Sequence, residues 1–476
     1  MKRLVLLLLP LTLGACLLIT PLAPLVTPAA TPTARPTPTL TVTPDAGFIV
    51  EYHPEGRLVV GDRVSLVIYP RAGQDVSGQE VLVRFAGQDL GRGSFDRYGV
   101  GGRNQATLLW IWDTTGLAPG PHTLDFSLSP GGPAWQETLT LLPAADLPEP
   151  ERGARWESFT TDCCVLQYIT NTEAERDLAL LAQQANTQSE IVEERMRADF
   201  RERVSITFLP RTLGHGGFAT DSIFVSYLDA NYAGGQPELV IRHEMVHIMD
   251  RQLGGKQRPS ILVEGLATYI SGGHFKEEPI APRAAALLDL GWYIPLRQLT
   301  DNFYPSQHEI GYLQGAALVQ YLIETYGWQG FNNLYRNIEP AESDSAALDA
   351  ALRLWLDTDF DALEADFIAW LRAQPQDPAY ARDVTLTVRY YDTVRRYQQL
   401  LDPSAYFMTA WLPDVNAMRT RGIVADYMRR PQSAIHTGLE AMFLEADAAL
   451  RAGQYDACEQ VLKSINVMLN IVEKER

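Results

Sequence analysis

His243-Glu244-Met245-Val246-His247 is the segment of this 476-residue chain whose residue types and spacing point most directly to chemistry. Pro237, following Gly234-Gly235-Gln236, suits the first turn of a helix, and Gly254 suits its end. Residues four apart on a helix differ by only about 40° in azimuth, so the two imidazoles share a face. There they can take two corners of a tetrahedral Zn2+ site. Glu244 is rotated off that face and suits a general base acting on water rather than a ligand. A third ligand is expected from Ser260-Ile261-Leu262-Val263-Glu264-Gly265-Leu266-Ala267-Thr268-Tyr269. Ser260 is expected to cap this second helix, after a turn over 254–259. Folded back on the first helix, it brings Glu264 round to the two histidines. Two histidines and one carboxylate leave the fourth position open, which is the catalytic rather than the structural arrangement.

The elements that must position these residues can be read on either side. Val165–Ile169 reads as a strand, Glu173–Arg197 as a long amphipathic helix, and Val204–Leu209 and Ile223–Tyr227 as strands. The chain is then largely helical to about residue 372, which suggests an α+β domain. Upstream, from Phe48 to Leu142, apolar residues alternate with others, as at Val64, Leu66 and Ile68 and at Val81, Val83 and Phe85. Turn clusters separate these runs, as expected of an all-β sandwich. The stretch Trp110-Ile111-Trp112-Asp113 through Gly120-Pro121-His122 resembles a bacterial Ig-like module, without its cysteine pair. From about Ala379 helical patterns are broken at Pro403, Pro413 and Pro431. The segment 440–473 reads as two helices around Gly453, resembling one tetratricopeptide-type hairpin or forming a helical cap on the preceding domain.

At the N-terminus, Lys2 and Arg3 precede an apolar run from Leu4 to Leu13, the order of an export signal. Leu13-Gly14-Ala15-Cys16 resembles the bacterial lipobox, which implies a lipidated Cys16; an uncleaved signal anchor or plain secretion is the alternative. Residues 17–45 are rich in Thr and Pro and are expected to form an extended spacer. With Cys16 lipidated, Cys163, Cys164 and Cys458 remain, an odd number that does not read as a disulfide framework. The adjacent pair reads as packed strand residues or an incidental vicinal pair, since it lacks the spacing of a metal site, and the sequence leaves open whether any of the three cysteines forms a disulfide. A net charge of −18 excludes a nucleic-acid surface built from clustered Lys and Arg.

With its strand–helix–strand prelude, the His-Glu-x-x-His helix and Glu264-Gly265-Leu266-Ala267, the region of roughly 160–372 resembles the gluzincin branch of the zincin peptidases in its compact, thermolysin-like form. The helix Tyr312–Leu322, with Tyr326-Gly327 and the closing 361–371 segment, fits the same resemblance. It implies zinc held by His243, His247 and Glu264, with Glu244 as base. It also implies a downstream oxyanion donor, for which Tyr312 is the first candidate and His308 the second. The segment Phe218–Val225 is expected to offer an edge strand to the substrate backbone. The sequence departs from the family pattern at two points. Thr268 stands where several relatives carry an acid that orients a zinc histidine, leaving Asp250 as a substitute. The Gly-x-Met-Glu-Asn segment of related aminopeptidases is absent, so amino-terminal trimming is not supported.

The expected organisation is a signal peptide over 1–16, a linker over 17–45, an Ig-like β-sandwich over 46–143, a gluzincin-like peptidase domain over 152–375 and an α-helical region over 376–476. The expected activity is that of an extracytoplasmic zinc endopeptidase, tethered to the membrane through Cys16 and acting on a peptide or protein substrate. The alternatives are a catalytically inactive surface binding or scaffold protein, and a zinc amidase acting on cell-wall material. His53, His122 and His436 are expected to be structural, and His215 and His274 to be loop histidines near the cleft.

Overall fold

The computed structural model describes residues 47–99, 102–211, 216–233, 235–402, 415–430 and 433–475. The expected export signal, Cys16, the 17–45 spacer and His215 lie outside the described residues.

Alternation in the N-terminal part does produce strands. One sheet has the order β1-β3-β7-β6, built from β1 (Phe48–His53), β3 (Arg63–Pro70), β7 (Arg103–Asp113) and β6 (Asp96–Tyr98). The other has the order β2-β9-β8-β4-β5, from β2 (Leu58–Val59), β9 (Ala134–Leu142), β8 (Gly120–Ser129), β4 (Glu80–Phe85) and β5 (Gln88–Ser94). Because side chains point to opposite faces with a period of two, Val64, Leu66 and Ile68 share one face of β3. They meet Val81, Val83, Trp112 and Phe126 in a common core between the sheets. Trp135 stacks there between Phe48 and Phe126, at 5.1 and 5.2 Å between ring centroids.

A third sheet follows, in the order β10-β11-β12-β14-β13. Its parallel centre is β11 (Cys164–Ile169), β12 (Val204–Leu209) and β14 (Ile223–Ser226). The antiparallel edges are β10 (Trp156–Thr160), a strand that the sequence pattern does not single out, and β13 (Gly217–Ala219). The helix expected over 173–197 appears as α1 (Glu173–Arg176) and α2 (Leu178–Met196), closed by Arg197 at φ 55. Alternation again directs the packing. Leu166, Ile206 and Val225 join Leu181, Ala185 and Val192 of α2 in the main core. Ile169, Leu209 and Phe224 belong instead to a second cluster, with Val67 of the sandwich and with Val415, Met418, Ile423 and Tyr427.

The rest is helical: α3 (Pro237–Leu253), α4 (Ser260–Ser271), α5 (Ile280–Asp289), α6 (Leu296–Asp301), α7 (His308–Arg336, interrupted at Gly327), α8 (Asp344–Trp355), α9 (Phe360–Arg372) and α10 (Pro378–Leu401). Beyond these lie α11 (Val415–Arg421), α12 (Ala425–Met428), α13 (Ala434–Arg451) and α14 (Tyr455–Glu475). Val384 and Val388 of α10 enter the main core, while its Leu386, Tyr390, Val394 and Tyr397 carry the α13–α14 hairpin. Buried ion pairs reinforce this closure. Arg283 of α5 meets Asp383 of α10 at 2.7 Å, and Arg211 meets Asp402 at 2.8 Å and Glu440 at 2.9 Å. Among the described residues no helix is long and apolar enough to cross a membrane.

The pairing of the cysteines, open in the sequence, is decided in the structure. Cys163 and Cys164 are bonded to each other, and Cys458 is a free thiol buried in the C-terminal core. An odd count of cysteines leaves one thiol over but does not say which two pair, and here adjacency decides it.

The sandwich docks on the rest through the 415–430 segment. The Arg429 guanidinium donates to both oxygens of Asp62, at 2.7 and 3.0 Å, and to Glu151 at 2.8 Å. Beside it Asp426 is buried: Trp110 Nε1 donates to its Oδ2 at 3.4 Å, while Oδ1 has no partner among the described residues. Burial pushes this carboxyl up to about 7 from an ordinary value of 3.8. The folded state therefore keeps a proton that the unfolded chain gives up, so the stability it contributes is complete at low pH and is lost as pH rises through about 7. Asp426→Asn, which cannot ionise, is expected to gain on the wild type by on the order of 4 kcal/mol between about pH 4 and pH 8, as ~1.4 kcal/mol per pH unit over the shift from 3.8 to about 7 requires. Urea melts at the two pH values measure this, and an advantage that does not grow with pH contradicts it.

Candidate active site

Helix α3 begins with Pro237 at its first turn and ends at Gly254, where φ is 77°. It is buried around most of its circumference, between β13 and β14 on one side and α2 and α4 on others. Such a helix lacks a polar face, so its position follows from tertiary packing rather than from amphipathic pattern. The turn over 254–259 is held by Gln257 N–H donating to the Ile338 carbonyl. Ser260 is the first helical residue after Pro259 and makes no cap hydrogen bond, contrary to the expected capping role. The proline, already set at φ −54°, starts the helix instead.

Glu264 owes its position to a close crossing of α4 and α7. A Cβ on Gly265 would lie 2.5 Å from the Gly315 carbonyl oxygen, and one on Gly315 would lie 3.0 Å from the Ile261 carbonyl oxygen. The crossing turns Glu264 toward α3. His243 Nε2 and His247 Nε2 are 3.2 Å apart, and Glu264 Oε2 lies 3.5 Å from the first and 3.3 Å from the second. The other oxygen, Oε1, accepts a hydrogen bond from the Tyr304 hydroxyl at 2.8 Å. These three side chains could hold a metal ion. A tetrahedral ion bound to nitrogen and oxygen at ~2.0–2.1 Å requires ligand-to-ligand edges of about 3.3–3.4 Å, and the three separations observed fall around that value. The donor set and its spacing therefore fit an ion.

Electrostatics follow from burial. Burial disfavours a charge on Glu264, but His247 and the hydrogen bonds from both imidazoles outweigh it and hold the carboxyl well below the usual range. Burial drives His243 down to about 4. For His247 the Glu264 charge overcomes burial and lifts the imidazole to about 9. Glu244, also buried, is pushed up to about 7. Its carboxylate lies under β13: a Cβ on Gly217 would come within 3.4 Å of Glu244 Oε1 and 2.1 Å of Val240. The edge strand thus passes directly over the expected base.

Not every expected residue meets at this point. The Tyr312 ring borders His243, at 6.2 Å between centroids, and lies 4.0 Å from His274. His308 is set further back, stacked between Tyr312 at 4.3 Å and Tyr391 at 4.5 Å. The Asp250 carboxylate accepts from Arg336 at 2.6 Å and from Arg258 and Tyr335 at 2.9 Å, tying the end of α3 to α7. His243 Nδ1 and the Thr268 hydroxyl are both buried without a partner among the described residues. Tyr304 was not expected. It lies in the loop between α6 and α7, is 65% exposed, and nothing local distinguishes it from a surface tyrosine. His274, expected as an ordinary loop histidine, has its ring 5.6 Å from that of His243. His53 is buried in β1, while His122 and His436 bond the Ala118 and Leu401 carbonyls.

No family model matches the chain, and no curated protein matches it. Among solved structures it is similar to an aminopeptidase N family protein from Idiomarina loihiensis, at 10% identity and a TM-score of 0.25, over 69% of this chain and 74% of that one. A likeness at that score carries no argument about fold or activity. The site rests on its own geometry.

The α4–α7 crossing has a direct test. Gly265→Ala puts a methyl against backbone, so it is expected to cost about 1–3 kcal/mol by overpacking. It should also weaken metal binding by shifting Glu264. Melting and a metal titration measure the two effects, and a variant as stable and as metal-avid as the wild type contradicts the proposed role of the crossing.

Proposed function

We propose that this protein is a zinc-dependent endopeptidase of the gluzincin type, exported and held to a membrane through a lipidated Cys16. The single observation that carries the reading is the near-equilateral triangle of His243 Nε2, His247 Nε2 and Glu264 Oε2, with edges of 3.2–3.5 Å beside a buried carboxylate, Glu244. His243, His247 and Glu264 would hold Zn2+, which when bound supplies Lewis acidity to the scissile carbonyl and to the attacking water.

The remaining work falls to the protein. Glu244 takes a proton from water as it attacks the carbonyl carbon and delivers it to the leaving amine. Buried directly beside the triad, its carboxylate is placed both to take that proton and to give it back. The Tyr304 hydroxyl, anchored on Glu264 Oε1 at the tip of a largely exposed side chain, can turn to the oxyanion as charge develops there. Tyr312 remains a second donor at the back of the site, and His308 is too enclosed by Tyr312 and Tyr391 to be preferred. An extended peptide can add to the outer edge of β13, the last strand of its sheet among the described residues, which crosses above Glu244, so that main-chain hydrogen bonds would align the scissile bond with the base. In this reading the 17–45 spacer and the N-terminal sandwich, taken as Ig-like, hold the site away from the membrane surface.

Glu244→Gln is expected to lower kcat for peptide hydrolysis by roughly 10²- to 10⁴-fold while zinc content stays unchanged. Undiminished hydrolysis with zinc bound removes the mechanism. Tyr304→Phe is expected to lower kcat by roughly 10- to 100-fold with little change in KM, since it removes a donor used as charge develops. Equal kcat in the two proteins would shift the oxyanion role to Tyr312.

A further inference from the structure

Among the described residues a second group has the composition of the first: two histidines and a glutamate, His274, His308 and Glu309. His274 lies in the loop after α4, and the other two open α7. Both imidazoles present Nδ1 to the same carboxylate oxygen. Glu309 Oε1 lies 3.2 Å from His274 Nδ1 and 3.4 Å from His308 Nδ1. Those edges again match the roughly 3.3–3.4 Å required around a tetrahedral ion with ~2.0–2.1 Å bonds. The His274 and His308 rings are 4.9 Å apart between centroids, the same separation as His243 and His247.

The surroundings favour a fixed site over a chance meeting of side chains. Glu309 is buried, and His274 and His308 expose only 11% and 23% of their side chains. Tyr312 covers His274 and, with Tyr391, clamps His308 face to face, so the two rings are held in orientation. Rigid placement of two imidazoles and one carboxylate oxygen suits a borderline divalent transition metal, not calcium or magnesium, which take mostly oxygen ligands.

We propose that His274 Nδ1, His308 Nδ1 and Glu309 Oε1 form a second site for a divalent metal of the zinc or cobalt class, beside the first. The metal would fasten the loop after α4 to the start of α7 and so fix Tyr312 against His243. The competing state of the same residues is a proton shared between His274 and Glu309, and metal content distinguishes the two.

The test is elemental analysis of the purified full chain after equilibration with Zn2+ or Co2+ and removal of free metal. About two equivalents per chain are expected in the wild type, and about one in Glu309→Gln, in His308→Ala, and separately in His247→Ala. A wild type that binds one equivalent, lost in His247→Ala and retained in Glu309→Gln, overturns the second site and leaves the first. If His247→Ala and the wild type both bind one, and Glu309→Gln binds none, the second site stands and the peptidase reading fails. Should the α7 variants not fold, Co2+ absorption titrations of the wild type and of His247→Ala decide. Saturation of His247→Ala at about one equivalent supports the proposal, and no saturable binding in His247→Ala overturns it.

Discussion

A buried carboxylate that must stay charged is the constraint around which the centre of this protein is arranged. Glu264 is nearly enclosed, and an ionised carboxylate there is stable only beside positive charge and hydrogen-bond donors. The two α3 imidazoles supply these at 3.3 and 3.5 Å, and Tyr304 satisfies the remaining oxygen. Neither helix could hold its part of this arrangement alone. The α4–α7 crossing, close enough to exclude a side chain at Gly265 and to crowd one at Gly315, aims the carboxylate, and the third sheet with α2 buries the opposite side of α3.

Elements far from this point serve the same arrangement. Asp250 binds Arg258, Arg336 and Tyr335 and so fixes the end of α3 to the end of α7. Arg283 and Asp383 join α5 to α10, and the C-terminal hairpin closes over Tyr232 and Phe275, residues that flank the site in sequence. The N-terminal sandwich reaches the third sheet through Val67 and the 415–430 segment, where Arg429 pairs with both Asp62 and Glu151. Charge pairing inside these contacts sets their geometry more than it adds stability, because desolvation offsets much of the attraction.

Much of this was legible in the residues themselves. A proline at its start and a glycine at its end bounded α3, and the four-residue spacing put His243 and His247 on one face, because helical periodicity is a local property. Strands β3, β4, β11, β12 and β14 were readable from alternation. Of the short edge strands, β10 was not, and β13 was covered only by one edge strand expected over 218–225 that the structure divides between β13 and β14, since five or three residues carry too little pattern and depend on a partner for their hydrogen bonds. Ser260 looked like a cap, but Pro259 had already set the backbone. The Cys163–Cys164 bond was missed because counting cysteines does not assign partners.

By itself the sequence determined which side chains could do chemistry: two histidines one helical turn apart, a carboxylate between them and another on the next helix. Those assignments rest on short-range geometry that any α-helix supplies. Folding adds that Glu264 Oε2 meets both imidazoles, that Tyr304 from a distant loop bonds its other oxygen, and that His274 joins His308 and Glu309. Such meetings depend on how closely helices cross and where loops return. These are set by packing among residues tens of positions apart, for which a linear pattern carries no signal.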